Sequence, residues 1–369
     1  MSNARKLADN LPTEGQLSGR NVIINGEFAI SQRGTSFTNI GSGGGGTSGY
    51  DDTWTMDRFL ISQGLSAGRC SVEQSSDTPD GFSKSLKIST TTADTSTGAS
   101  EYHRLQTKFE GQNLQRFAKG TSSAKEFTLS FYCKANAAAT YAVELYDLDN
   151  QRTVSKLFNV TTNWTRVILI FPADTTGAFD NNNLLSMELN WWMHTGSTYG
   201  GGTLQTTWGG IVQANRAAGI DSIFDSTSRT FFITGVQLEV GSQASPFEHE
   251  PVGVTLAKCQ RYLNILLRGD LQDDQNIGSC YTATRCFIKV FHKVTMRATP
   301  TISLIGAIDA NLYSNGSAVA ATGINASYPK PDSTGLDFTP ASSLSGGNAF
   351  HLDWTTADTS RYVKAEAEL

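Results

Sequence analysis

Residues 231–267, FFITGVQLEVGSQASPFEHEPVGVTLAKCQRYLNILL, contain the transition that decides the fold. The stretch begins with aromatic and β-branched side chains and this run ends at Gly241, which is typical of a strand. Two prolines follow and disfavour a helix there. Further along, apolar side chains recur at helical spacing until Gly269, which predicts a connecting helix over residues 253–268. The chain therefore divides near residues 252 and 268.

Short strands with turn signals between them fill the region upstream of this stretch. About ten strands are predicted between residues 54 and 240, with no convincing helix among them. A first strand is predicted before them, over residues 22–30. A hydrophobic content of 38% together with 35 glycines also favours many turns and polar strand faces. We predict an all-β fold, with a jelly-roll-like β-sandwich over residues 21–252, the short connecting helix, and a smaller C-terminal β module over residues 269–369.

Residues 233–262, ITGVQLEVGSQASPFEHEPVGVTLAKCQRY, resemble the hinge of a family of bacteriophage and prophage tail fibre proteins, in which a sandwich domain continues into a helix. The resemblance extends to NVIINGEFAISQRGTSF at residues 21–37 and to MDRF at residues 56–59. It also includes KVTMRATPTIS at residues 293–303 and the final AEAEL at residues 365–369. Residues 1–20 show no such resemblance.

This resemblance implies a structural virion protein of a tailed bacteriophage, specifically a tail fibre or receptor-binding subunit that adsorbs to host surface glycans. It implies a homotrimer, assembled in the host cytoplasm and located on the tail or another exterior appendage of the virion. Residues 1–20 contain too little apolar surface to fold alone, so they are predicted to be an arm that anchors the chain to other tail or capsid proteins. A loose leader is the alternative for this segment.

Two other functions stay open on the sequence. The chain could be a capsid decoration or fibre-connecting protein without receptor binding, in which the sandwich packs against virion partners. It could also be a capsular polysaccharide depolymerase, although the long parallel β-helix repeats of many such enzymes are not visible.

The sandwich also resembles the jelly-roll carbohydrate-binding modules attached to glycoside hydrolases. Such modules place sugar rings on aromatic side chains, since a sugar has an apolar face and a polar rim. The candidate glycan-binding residues are Trp191, Trp192, Tyr199 and Trp208. Strand alternation directs one of the two adjacent indoles inward and the other outward. The alternative is that these rings fill the core or a subunit contact.

Composition argues against two classes of partner. A net charge of −5 and a pI near 5.6 do not suit non-specific binding to nucleic acid, which needs a dense basic surface. The longest apolar runs fall far short of the roughly 18 residues that span a bilayer, so no membrane insertion is expected. The N-terminus lacks the apolar core of a signal peptide.

No catalytic, cofactor or metal site is predicted, and the chain is not expected to be an enzyme. The five histidines lie on separate elements without an H-E-x-x-H pair, and no G-x-S-x-G elbow occurs. The stretch GSGGGG at residues 41–46 matches a dinucleotide fingerprint only formally, because no helix follows it.

The five cysteines show no C-x-x-C pair and are expected to be free thiols. Glu144, Glu188 and Glu239 lie on predicted strands, where structural roles are favoured over glycoside hydrolysis.

Overall fold

The computed structural model describes residues 19–41, 50–269, 276–355 and 357–369. Two compact units make up the chain. The first ends at Thr255 and also includes Leu369, and the second runs from Leu256 to Glu368. Most of the predicted arm, residues 1–18, and most of the glycine-rich loop, residues 42–49, lie outside the described residues.

The first unit contains thirteen strands within its described residues, and every pairing between them is antiparallel. The strands are β1 (Ser36–Ile40), β2 (Tyr50–Trp54), β3 (Phe59–Gly64), β4 (Arg69–Ser75), β5 (Ser85–Thr92), β6 (Tyr102–Glu110), β7 (Phe127–Ala135), β8 (Ala139–Asp147), β9 (Arg152–Val160), β10 (Thr165–Phe171), β11 (Leu185–Thr195), β12 (Gly209–Gly210) and β13 (Thr230–Val240). Six form one sheet in the order β1-β4-β5-β13-β7-β10, and seven form the other in the order β12-β9-β8-β11-β6-β3-β2. A one-turn helix, α1 (Ser197–Gly200), follows β11.

The core of this unit lies between the two sheets. Alternate side chains of β7 face inward, and Phe131 meets Trp191 of the opposite sheet with ring centroids 5.9 Å apart. Tyr141 and Phe231 make a second contact across the sheets at 5.8 Å. Inward-facing apolar side chains from both sheets form one continuous buried cluster, which is the packing expected of a sandwich. The predicted all-β sandwich is confirmed.

The predicted first strand at residues 22–30 is wrong. Asn25 and Phe28 have φ angles of 62° and 55°, which do not continue a strand. Ile23 and Phe28 are nevertheless buried in the core, so the apolar pattern reported burial rather than strand geometry. The segment is attached to β13 instead, through the Val22 N–H bonded to the Leu238 carbonyl at 3.0 Å.

The predicted connecting helix over residues 253–268 is only partly correct. Helix α2 spans Val252–Gln260, and a strand, β14 (Leu263–Arg268), follows after a short turn. β14 pairs antiparallel with β22 (Tyr362–Glu366), nearly a hundred residues further along the chain. Apolar side chains at helical spacing also suit a strand that is buried on both sides. Only the pairing with the distant strand β22 distinguishes a strand from a helix here.

The second unit is also all-β. Its remaining strands are β15 (Asn276–Thr282), β16 (Arg285–Phe291), β17 (Thr301–Ile305), β18 (Ala310–Ser314), β19 (Ser317–Ser327), β20 (Ser333–Pro340) and β21 (Ala349–Trp354). β14, β22 and β17 form a three-stranded sheet, and β15-β16-β20-β19-β18-β21 close into a barrel. The sequence did not predict β20, because Pro329 and Pro331 precede it and Pro340 lies within it. Pro340 stands at the last position of this strand and therefore leaves the pairing intact.

All five cysteines are buried free thiols. Cys280 and Cys286 face each other across the β15–β16 hairpin. Burial raises the pKa of the Cys133 thiol to about 12, so it behaves as a small apolar side chain. None of the helices in the described part of the chain has the length and apolar character needed to cross a membrane.

Candidate functional site

The adjacent indoles on β11 lie on opposite faces of the seven-stranded sheet, as strand alternation predicts. Trp191 is fully buried in the core between the sheets. Trp192 lies on the outer face, where Arg104 of β6 and Ala142 of β8 stand directly opposite it. Trp191 is therefore placed to stabilise the sandwich, whereas Trp192 belongs to the outer surface of the sheet.

Three aromatic rings meet on this outer face. Tyr199 of α1 lies 5.5 Å from both Trp192 and Tyr102, and Tyr102 lies 6.0 Å from Trp192. Only 1% of Trp192 is exposed, so its ring supports the patch from below. The two tyrosines are half-buried and present the accessible aromatic surface. We call Tyr102, Arg104, Trp192 and Tyr199 the outer aromatic patch.

Arg104 supplies the polar component of this patch. Its guanidinium lies 5.2 Å from the Tyr102 ring and 5.1 Å from the Trp192 ring. Among the described residues it forms no hydrogen bond or ion pair with another side chain or the backbone. An arginine beside aromatic rings that has no protein acceptor can donate hydrogen bonds to the hydroxyl or carboxylate groups of a ligand.

A buried polar network fixes the patch from the side. Arg216 donates to both carboxylate oxygens of Glu144, at 2.6 and 2.9 Å. Glu144 also accepts from the Trp192 indole at 2.9 Å and from the Asn190 amide at 3.1 Å. Burial alone would lower the pKa of Arg216, but the charge of Glu144 outweighs it and raises that pKa. The ion pair therefore holds the segment around Arg216 against the sheet and orients Trp192.

The other two candidate carboxylates are also engaged. Glu239 accepts hydrogen bonds from the Ser245 N–H at 2.9 Å and the Ser245 hydroxyl at 2.6 Å, which attach the segment after β13 to that strand. Glu188 is nearly buried on β11 and accepts a long 3.4 Å bond from Asn190. These contacts give Glu144 and Glu239 structural roles.

Trp208 takes part in different contacts from the outer aromatic patch. Its ring packs against the core 5.9 Å from Phe127, and its N–H donates to the Pro172 carbonyl at 2.9 Å. The ammonium of Lys119 lies 5.0 Å from the ring. Of the four predicted site residues, the structure thus brings Trp192 and Tyr199 together, while Trp191 and Trp208 pack against the core.

Sequence reasoning missed Tyr102 and Arg104. They are two residues apart on one strand, so they share a face, and this period-two pairing of an aromatic and a basic residue was visible in the sequence. Its significance depends on the register that places Arg104 opposite Trp192.

A second polar group lies near the ends of β5, β6 and β11. Asp94, Glu101 and His194 each offer one ligand atom, and these atoms all lie within 4.8 Å of one another. Among the described residues this is the one group of three or more His, Cys, Asp or Glu side chains with that proximity. It is the candidate for holding a metal ion.

Comparison with known proteins gives no family assignment. No protein-family model matches the chain, and no curated protein matches it. Among solved structures, the chain is similar to the enzymatically active domain of tailspike protein 4 of bacteriophage CBA120, with 14% identity and a TM-score of 0.29. That match covers 50% of this chain and 19% of the tailspike chain.

Carbohydrate-binding modules are also among these similar structures. A xylan-binding domain of family 22 shows 13% identity and a TM-score of 0.29, covering 57% of this chain and 97% of that chain. A family 11 module of a cellulosomal cellulase of Clostridium thermocellum shows 12% identity and a TM-score of 0.28, covering 51% and 89%. Similarities at this level carry no argument about function.

Proposed function

We propose that this chain is a glycan-binding subunit of a virion appendage, a tail fibre of a tailed bacteriophage that adsorbs to host surface polysaccharide. The virion role rests on the sequence resemblance of residues 21–37, 233–262 and 293–303 to tail fibre proteins. The glycan-binding role rests on the outer aromatic patch. The mechanism is adsorption by non-covalent contacts, without a chemical step.

The observation that carries the glycan proposal is the environment of Arg104. Its guanidinium is surrounded by aromatic rings and, within the described residues, has no protein acceptor. A pyranose ring stacked on Tyr199 would bury its apolar face there, beside the Tyr102 ring that stands at 81° to Tyr199, with its hydroxyl groups within reach of Arg104. Trp192 and the Glu144–Arg216 pair keep these groups in place before the ligand arrives, which lowers the entropic cost of binding.

A structural virion role without receptor binding is the second candidate. It is favoured by large exposed apolar side chains on the barrel of the second unit, including Ile277, Tyr281 and Phe291. Surfaces of this kind commonly mark contacts with other proteins. A depolymerase is disfavoured, because Glu144 and Glu239 are occupied by structural partners and are poorly suited to act as a catalytic pair.

Binding to a panel of immobilised bacterial capsular and O-antigen polysaccharides tests the glycan proposal. We expect Tyr199→Ala to weaken binding severalfold, since an aromatic contact contributes about 0.5–1.5 kcal/mol beyond area burial. Arg104→Gln should weaken it about tenfold or more, because hydrogen bonds to a charged group contribute about 1.5–3 kcal/mol. Circular dichroism of each variant checks that the fold is retained.

Tyr132→Ala is the matched control. Tyr132 is a half-buried tyrosine on the outer face of the other sheet, and the Arg166 guanidinium lies 5.9 Å from its ring. The control should bind like the unaltered protein. Equal binding by all folded variants, or binding to no polysaccharide in the panel, would count against the outer aromatic patch as a glycan site.

A further inference from the structure

Asp94, Glu101 and His194 converge from three separate parts of the first unit. Asp94 lies in the loop after β5, Glu101 directly precedes β6, and His194 is near the end of β11. The His194 Nε2 atom lies 3.3 Å from the Glu101 Oε2 atom. His194 is fully buried, and the Glu101 side chain is 13% exposed, so the group sits just below the surface.

The surrounding hydrogen bonds orient these side chains toward one another. His194 Nδ1 is bonded to the Ser222 hydroxyl at 2.7 Å, which leaves Nε2 facing the carboxylates. The Asp94 carboxylate is held by the Ser66 hydroxyl at 2.7 Å and by the Ala67 N–H at 2.9 Å. A histidine fixed through its second nitrogen and a carboxylate fixed by outer donors are the usual supports of a metal site.

The charges of the group are not balanced by protein side chains. In the described part of the chain, no Lys or Arg forms an ion pair with Asp94 or Glu101. Two adjacent carboxylates are costly to bury unless a cation joins them.

We propose that Asp94, Glu101 and His194 bind a divalent transition-metal ion of the zinc class, with water as a fourth ligand. Zinc bonds of about 2.0–2.2 Å at tetrahedral angles place neighbouring ligand atoms roughly 3.3–3.5 Å apart. The 3.3 Å separation between His194 Nε2 and Glu101 Oε2 has this value, and the Asp94 ligand atom lies within 4.8 Å of both. The imidazole favours zinc over calcium and magnesium, which prefer oxygen ligands.

Such an ion would also stabilise the outer aromatic patch. The Glu101 carbonyl accepts from the Gly196 N–H at 2.9 Å, and the Ala99 carbonyl accepts from the Thr198 N–H at 2.9 Å. These bonds connect the metal-binding loop to α1, which carries Tyr199. The metal therefore has a supporting role there, and its presence can be tested without any glycan.

The test uses untagged, chelator-treated protein and zinc chloride as the probe. Equilibrium dialysis followed by elemental analysis should give one zinc ion per chain. Thermal unfolding should shift upward with zinc and not with the same concentration of calcium, since an ion that binds only the folded state stabilises it. Glu101→Gln, which preserves side-chain size, should reduce zinc affinity at least about tenfold.

Glu27→Gln is the matched control. Glu27 Oε2 lies 3.2 Å from His249 Nδ1, so this surface pair has the same chemistry, but no third His, Cys, Asp or Glu of the described residues brings a ligand atom within 4.8 Å of both. Its zinc affinity should equal that of the unaltered protein. The proposal is overturned if the unaltered protein takes up no zinc, as expected when Asp94 and Glu101 merely share a proton. It is also overturned if Glu101→Gln, folded by circular dichroism, binds zinc as tightly as the control.

Discussion

Glu144 connects three parts of the first unit through one buried carboxylate. It accepts from Arg216, Trp192 and Asn190 at distances between 2.6 and 3.1 Å. Glu144→Gln leaves the Arg216 guanidinium buried without a counter-ion, and breaking a buried pair in this way costs about 3–5 kcal/mol. We expect the free energy of unfolding, measured by urea titration at neutral pH, to fall by about that amount.

Glu73→Gln is the comparison for this variant. The Glu73–Lys87 pair is equally short, at 2.7 Å, but both side chains are partly exposed. Removing an exposed pair costs about 0–1 kcal/mol, because water replaces the lost partner. Equal losses of stability in the two variants would show that Glu144 is not the structural centre described above.

At the scale of single residues, strand alternation alone predicted that Trp191 and Trp192 face opposite sides of the sheet. It could not predict that Arg104 and Arg216 flank Trp192. Arg216 comes from a connection after β12, and its approach depends on the ion pair with Glu144 on the outer face of the sheet. The candidate aromatic residues therefore identified part of the outer aromatic patch, whereas the position of Arg104 in it depends on the register between strands.

The opening segment and β13 act as one structural element. The Val236 N–H donates to the Gly26 carbonyl at 2.9 Å, and a Cβ atom at Gly26 would lie 2.1 Å from the Val236 carbonyl oxygen. Backbone atoms cannot rotate away, so Gly26→Ala should lower the free energy of unfolding by about 1–3 kcal/mol. Thermal or urea unfolding of the variant measures this loss.

Gly210→Ala is the steric control in the same unit, because nothing lies within 4 Å of a Cβ atom at that position. Its stability should change little. If Gly26→Ala unfolds at the same urea concentration as this control, the close approach of the opening segment to β13 is not rigid. The two glycine variants therefore separate a steric effect from a general effect of replacing glycine.

The strands of the sandwich were largely predictable because each combines alternation with nearby turn signals. β13 (Thr230–Val240) ends directly before Gly241, where the sequence predicted the end of a strand. The errors occurred where a distant partner decides the conformation. Leu263–Arg268 has helical spacing but pairs with the final strand, β22. Residues 22–30 have the composition of a strand, but the segment contains positive φ angles at Asn25 and Phe28 and lies against β13 without forming a strand.

At the scale of the whole molecule, the role of residues 1–18 remains a prediction, because they lie outside the described residues. The first described residue, Gly19, donates its N–H to Glu248 at 2.5 Å, so the chain enters the sandwich beside the segment that follows β13. Deleting residues 1–18 should leave a folded protein that no longer incorporates into virions, since their sequence offers too little apolar surface to contribute much to a core. Normal incorporation in a complementation assay would assign attachment to another surface.

The predicted homotrimer also belongs to this scale. Ile277, His351 and Tyr313 stand side by side on neighbouring barrel strands, the last two with rings stacked 4.8 Å apart, and Ile277 is 74% exposed. An apolar side chain this exposed, beside two half-buried rings, fits burial against other copies of the chain. Sedimentation at micromolar concentration should therefore give three copies, and Ile277→Ser should shift the protein toward monomer.

Ile168→Ser, at a 48% exposed position on β10, is the control and should remain trimeric. A monomer for the unaltered chain would contradict the trimer, and a trimer for Ile277→Ser would place the contact elsewhere, with the exposed Val252 and Val254 of α2 as the next surface to test.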